Sequence, residues 1–230
     1  MFLLELVSTS ALGSLLGMRH ALEPDHLTAV STLVTGERSG LKAAWLGVCW
    51  GLGHTLTLLT AGAALVVLRA EMPAAAADAF EFLVAVMLVG LGLRAIYRAA
   101  RQGSAGPLHA HQHGRLVHVH PGVPAHVHIG RWTLARRPLL IGAVHGLAGS
   151  GALTALVLAT LPSTAARLAY MALFGLGSTV GMAALSGLLG WPLGRLAQHP
   201  AIGRGISLTV GCISTALGVW WGYPLVNRLF

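Results

Sequence analysis

Apolar residues along this chain fall in long runs, and the polar residues collect in the short stretches between them. Six runs stand out, over residues 3–22, 43–68, 79–99, 138–161, 166–190 and 205–226. Each offers the roughly 20 apolar residues that a helix needs to cross a bilayer. The pattern predicts an all-α polytopic membrane protein with six transmembrane helices. After the first run come Pro24 and a further apolar piece, Leu27 to Val34. Proline lacks a backbone donor and disfavours helix at the residue before it, here Glu23, so the first helix is expected to be broken near Pro24.

The runs also repeat. Leu16-Gly17-Met18-Arg19-His20-Ala21-Leu22 matches Ile141-Gly142-Ala143-Val144-His145-Gly146-Leu147, Gly51-Leu52-Gly53-His54-Thr55 matches Gly175-Leu176-Gly177-Ser178-Thr179, and Leu91-Gly92 with Tyr97 matches Leu217-Gly218 with Tyr223. The offsets are 125, 124 and 126 residues, nearly one register throughout. The chain therefore divides into a three-helix repeat over residues 1–99, a loop over 100–137 and a second three-helix repeat over 138–230. An odd number of spans per copy inserts the second copy upside down. Such inverted repeats characterise transporters, whose sites lie near the midplane where the halves meet.

Composition narrows the class. A 55% hydrophobic chain with 10% charged residues and a mean hydropathy of +0.72 does not describe a soluble core. The net charge of +8 is scattered over short loops, with no basic helix or aromatic-interleaved patch, so nucleic acid is not an expected partner and the lipid bilayer is. With the amino terminus outside, inner segments hold Arg38, Lys42, Arg98, Arg101, Arg115, Arg131, Arg136, Arg137, Arg195 and Arg204, and outer ones hold only Arg69, Arg167 and Arg228. The positive-inside rule then places both termini outside a bacterial-type cell membrane and the 100–137 loop in the cytoplasm. Glu5 is the only charge before Arg19, so the first run is expected to be retained rather than cleaved. Cys49 and Cys212 lie in separate apolar runs with no CxxC, which argues against a disulfide framework.

Candidate chemistry concentrates in His20-Ala21-Leu22-Glu23-Pro24-Asp25-His26. Ionisable residues at membrane depth are costly and mark functional sites by default. On an unbroken helix, residues five and six apart stand about 140° and 240° round the axis, so His20 could not share a face with both Asp25 and His26. A break at Pro24 lets the three converge, and imidazoles with one carboxylate suit a borderline divalent ion such as Ni²⁺, Co²⁺ or Zn²⁺. The bland alternative is that Asp25 and His26 cap a helix and His20 is a satisfied core residue. Glu23, four residues after Arg19, is the expected partner of that cation. His54 lies mid-run beside Gly51 and Gly53, as a ligand or as an interhelix hydrogen-bonding group.

His20, Asp25 and His26 form an H-x4-D-H pattern preceded by Arg19, which resembles the signature of the nickel/cobalt transporter (NiCoT/NicO) family. Leu52-Gly53-His54-Thr55 is similar to that family's second motif, and His145-Gly146-Leu147-Ala148-Gly149-Ser150-Gly151 looks closer to its urease-accessory, UreH-like branch. The resemblance implies a membrane transporter for Ni²⁺ or Co²⁺ that binds the ion near the midplane through His20, Asp25, His26 and His54. Classical importers of the family have eight spans and acidic residues in their later motifs; this chain has six runs and offers His145, Ser150, Ser178 and Thr179 there. His145, the repeat counterpart of His20, either binds the ion or only lies near it. Ser178 and Thr179 line the ion's path or simply pack helices.

The 100–137 loop, rich in Gly, Pro and His, shows no apolar periodicity and is expected to be mobile. It carries His109, His111, His113, His118, His120, His126 and His128, whose i, i+2 spacing suits accessory metal capture, against a plain solvated linker. Glycines in apolar runs lack the strand context and lysine of a phosphate loop, and neither a catalytic triad nor a redox pair is present. No enzyme activity and no organic cofactor are expected, and the ion itself is the cargo. Two other readings share these residues: an accessory protein passing captured nickel to urease or hydrogenase maturation partners, and a metal exporter. Nothing in the pattern specifies an oligomeric state.

Overall fold

The computed structural model describes residues 2–35, 37, 39–101, 108–113, 116–121, 126–129 and 132–229. The helices are α1 (Phe2–His20), α2 (Pro24–Val34), α3 (Gly40–Leu68), α4 (Ala74–Arg101), α5 (Arg136–Thr160), α6 (Thr164–Leu196) and α7 (Pro200–Leu229). Between α4 and α5 run four short strands, β1 (Leu108–His113), β2 (Leu116–Pro121), β3 (His126–Ile129) and β4 (Trp132–Ala135).

Five of the described helices, α3 to α7, are long and apolar enough to cross a bilayer. The first expected span, 3–22, is α1, which lies outside that set of five and stops at His20. The remaining helices begin two to five residues before their apolar limits, because they run on from their caps. Ser39 accepts from the Lys42 backbone N–H and Ser163 from that of Ala166, each fixing a helix start. Arg69 closes α3 in the left-handed region at φ 51°.

Polarity is inverted relative to a water-soluble bundle. Large apolar side chains such as Leu56, Leu68, Leu188, Trp220 and Tyr223 face outward, while Asp25, His26, His54, His145 and Ser178 are buried. A lipid environment rewards this arrangement, because helices in a bilayer associate through small residues and polar contacts rather than by hiding leucine.

Helices α3 and α6 form the central pair, α1 packs on α6, α5 packs on α3, and α4 pairs with α7. Glycines make these approaches close. A Cβ on Gly17 of α1 would run into the Phe174 carbonyl oxygen of α6, and one on Gly142 of α5 into that of Trp50 on α3. A Cβ on Gly51 would meet Thr179, and one on Gly175 would meet Thr55. In the seam itself, the Thr55 hydroxyl donates to the Gly175 carbonyl at 2.7 Å and lies 2.9 Å from the Thr179 hydroxyl. Between α4 and α7, the Ser214 hydroxyl donates to the Leu88 carbonyl at 2.8 Å.

The loop expected to be mobile contains two antiparallel ribbons, β1 with β2 and β3 with β4. Alternation of histidine with Ala, Gln or Val along these stretches has the two-residue period of a strand, a signal that a search for helical apolar periodicity passes over. In the first ribbon His109 stands opposite His120 and His111 opposite His118; in the second, His126 stands opposite Ala135 and His128 opposite Thr133. The side chains of the seven loop histidines, and the inner cations Arg38, Arg115 and Arg131, lie outside the described residues.

Candidate metal centre

The site is built on the break between α1 and α2. Backbone bonds from Leu22 to the Arg19 carbonyl (2.9 Å) and from Glu23 to the His20 carbonyl (3.0 Å) tighten the end of α1 into a turn. Glu23 is then extended, φ −65° and ψ 149°, as the residue before a proline prefers. Pro24 opens α2 at the position where its missing N–H costs nothing. Asp25 and His26 thus occupy the first turn of a new helix, aimed back at the end of α1.

His54 arrives from the middle of α3 and His145 from α5, and both are buried. The His26 ring stands between its neighbours, with ring centres 4.5 Å from His20, 4.7 Å from His145 and 5.6 Å from His54; His20 and His54 are 5.2 Å apart. Two sets of ligand atoms lie within 4.8 Å of one another: His20, His26 and His54, and Asp25, His26 and His145.

Hydrogen bonding orients these rings. The Nδ1 of His20 lies 3.0 Å from Glu23 Oε1, that of His26 3.1 Å from Asp25 Oδ1, and that of His145 3.1 Å from the Ile141 carbonyl. With an acceptor at each Nδ1, the proton belongs there and the Nε2 lone pair is left to face inward. This is the outer-shell arrangement that orients metal-binding imidazoles. The Nε2 atoms of His20, His26 and His145 and both ring nitrogens of His54 are buried without a hydrogen-bond partner among the described residues. Each unsatisfied buried polar atom costs about 1–3 kcal/mol, so four neighbouring imidazoles, each with an unpartnered ring nitrogen, describe a site for something that binds nitrogen lone pairs.

The walls are apolar or absent. Trp50 stacks on His26 at 5.4 Å and meets His145 at 5.6 Å, and Phe174 lies 5.3 Å from His20. Gly149 of α5 leaves room: a Cβ there would stand 3.8 Å from His20 Nε2 and 3.9 Å from His54 Cε1. Ser178 is buried with its hydroxyl unpartnered among the described residues. Thr179 is turned to the α3–α6 seam, where its hydroxyl donates to Gly175 at 2.9 Å.

His20, Asp25, His26, His54 and His145 are therefore brought together, whereas the Thr179 hydroxyl bonds within the α3–α6 seam. Glu23 does not behave as expected: helix α1 stops before the i, i+4 spacing to Arg19 applies, and its carboxylate takes His20 instead. Trp50 and Gly149 escaped the sequence reading. Trp50 precedes His54 by one helical turn and so shares its face, a signal available in principle. Gly149 had none beyond its place in a glycine-rich run.

A family model described as a high-affinity nickel-transport protein, NicO, matches residues 6–220. The chain belongs to the NicO family. That family is one of nickel-transport proteins, so this NicO member is a multi-pass membrane protein of transport type. The chain is also 35% identical over 221 residues to the urease accessory protein UreH of Bacillus sp. (strain TB-90), covering 96% of this chain and 93% of that protein. No solved structure matches it.

Proposed function

We propose that this NicO protein carries Ni²⁺ or Co²⁺ across the membrane, binding the ion through His20, Asp25, His26 and His54 between two inverted three-helix halves. The carrying observation is the set of buried, unpartnered ring nitrogens on His20, His26, His54 and His145, each of the three with a fixed Nδ1 partner presenting Nε2. Borderline divalent ions prefer imidazole ligands of this kind over the all-oxygen sets that suit Mg²⁺ or Ca²⁺.

Two halves related by inversion are supported by reciprocal packing at the repeat offset. The clash of Gly17 with Phe174 is mirrored by that of Gly142 with Trp50, and Gly51 against Thr179 by Gly175 against Thr55. The first helix of each half packs on the middle helix of the other. Alternating access then means that the halves rock about the α3–α6 seam, exposing the ion to one side at a time. An inside-negative membrane potential favours entry: a divalent ion crossing inward gains about 4.6 kcal/mol under roughly 100 mV.

The ribbons of the 100–137 segment form a cytoplasmic capture element, with His109, His111, His113, His118 and His120 in the first and His126 and His128 in the second. A relative named as a urease accessory protein favours a second reading, in which captured nickel is passed on to maturation partners. Deleting residues 109–128 separates the two. Flux of ⁶³Ni into proteoliposomes that survives the deletion assigns transport to the helices, and loss of nickel delivery in cells alone assigns delivery to the ribbons. The test of the main reading is His26→Ala and Asp25→Ala: ⁶³Ni or ⁵⁷Co flux is lost while the protein still reaches the membrane, and undiminished flux in both refutes it.

A further inference from the structure

The two ligand sets share one residue, His26, and are otherwise distinct. One adds His20 and His54; the other adds Asp25 and His145. His20 and His145 are repeat counterparts at an offset of 125, and the His26 ring lies almost midway between them, 4.5 Å from one and 4.7 Å from the other. Their aromatic neighbours are counterparts as well. Phe174 of α6 lies 5.3 Å from His20, and Trp50 of α3, one offset of 124 away, lies 5.6 Å from His145. His26 itself is matched by Gly151 and Asp25 by Ser150, so the second half supplies no second copy of the central ligand.

From this arrangement we infer that a transported ion occupies two successive positions, His20–His26–His54 and Asp25–His26–His145, and passes between them without leaving His26. The inference rests on the transporter reading above. Because the halves are inverted, His20 and His145 fall on opposite sides of the midplane, and the two positions face opposite openings. The exchange replaces two imidazoles with one imidazole and one carboxylate. Ligands change one at a time, so the ion is never stripped of its donors in a dry interior, where an uncompensated charge is prohibitive. Asp25 serves this step through both oxygens: Oδ1 holds His26 Nδ1 at 3.1 Å and Oδ2 stands 3.5 Å from His145 Nε2.

The test uses the full-length protein in proteoliposomes with the seven loop histidines changed to alanine throughout, so that ⁶³Ni flux and equilibrium ⁶³Ni binding, measured on the same samples, report the helices alone. His145→Ala keeps equilibrium binding within about threefold, because the first position is intact, and lowers flux by at least about tenfold. Unchanged flux overturns the inference. So does loss of binding and flux together, since His145 would then be a ligand of one joint site. His26→Ala removes both readouts; if it removes neither, the transporter reading itself has failed, which is a different result. Should His145→Ala not fold, as judged by its melting temperature, His20→Ala carries the test through X-ray absorption. Nickel held by two imidazoles and a carboxylate supports the second position, and a protein that binds no nickel overturns it.

Discussion

Replacing Glu23 with alanine tests how the site is held open. The carboxylate is 3.0 Å from His20 Nδ1, and it is the only acceptor at that nitrogen among the described contacts. Although Glu23 stands at the N-cap of α2, its side chain makes no capping bond, so alanine leaves the start of that helix intact. What is lost is the group that fixes the His20 tautomer. Outer-shell partners of metal-binding histidines are typically worth 10–100-fold in affinity. The Glu23 side chain is 52% exposed, so water competes for the same Nδ1 proton and the lower end applies. The expected loss is about tenfold in nickel affinity, or about 1.4 kcal/mol. Equilibrium ⁶³Ni binding to purified protein with the seven loop histidines changed to alanine measures it. Glu23→Gln sharpens the outcome, because its amide oxygen still accepts from Nδ1 while the charge is gone. If Glu23 orients His20, Gln binds nearly as well as wild type and Ala does not. Equal losses in Gln and Ala would mean that Glu23 acts by charge, as a partner of Arg19 would, and would refute the orienting role.

Other substitutions address neighbouring features. Gly149→Ala is tolerated, since its Cβ meets His20 and His54 at ordinary contact distance, 3.8 and 3.9 Å, whereas Gly149→Leu fills the space between the rings and lowers ⁵⁷Co flux at least about tenfold; equal fluxes in the two variants would disprove an open space there. Thr55→Val removes the bond to Gly175 across the α3–α6 seam. Interhelical hydrogen bonds in membranes average about 0.6 kcal/mol, so thermal unfolding in detergent shows a small loss of stability with nickel binding unchanged. A loss of binding at full stability would move Thr55 from the seam to the site.

Much of this arrangement could be read from single residues. Pro24 marks a break because its chemistry is local, and His20, Asp25 and His26 could be expected to meet once the break was granted. The spans α3 to α7 were legible because a bilayer imposes length and apolarity on every helix that crosses it. Relations across the fold were less accessible. The pairing of Glu23 with Arg19 assumed a helix that ends at His20, three residues too early for the spacing to hold. Trp50 read as one more apolar residue of α3, and its contacts with His26 and His145 arise only when α2 and α5 pack on α3. Gly149 is informative for what it leaves out, and sequence carries no sign of empty space. In the 100–137 segment, the histidine alternation that suggested chelation also encodes strand pairing.

The central claim is that a transition-metal ion is held by imidazole nitrogens from three helices at the α1–α2 break. X-ray absorption at the nickel edge, with ⁶³Ni stoichiometry measured in parallel, tests it directly on the protein lacking residues 109–128, whose removal silences the loop histidines. The account predicts bound Ni²⁺ with two or three imidazoles at about 2.0–2.1 Å, and the loss of that signal in His26→Ala. A spectrum dominated by water oxygens, or one unchanged in His26→Ala, would contradict it.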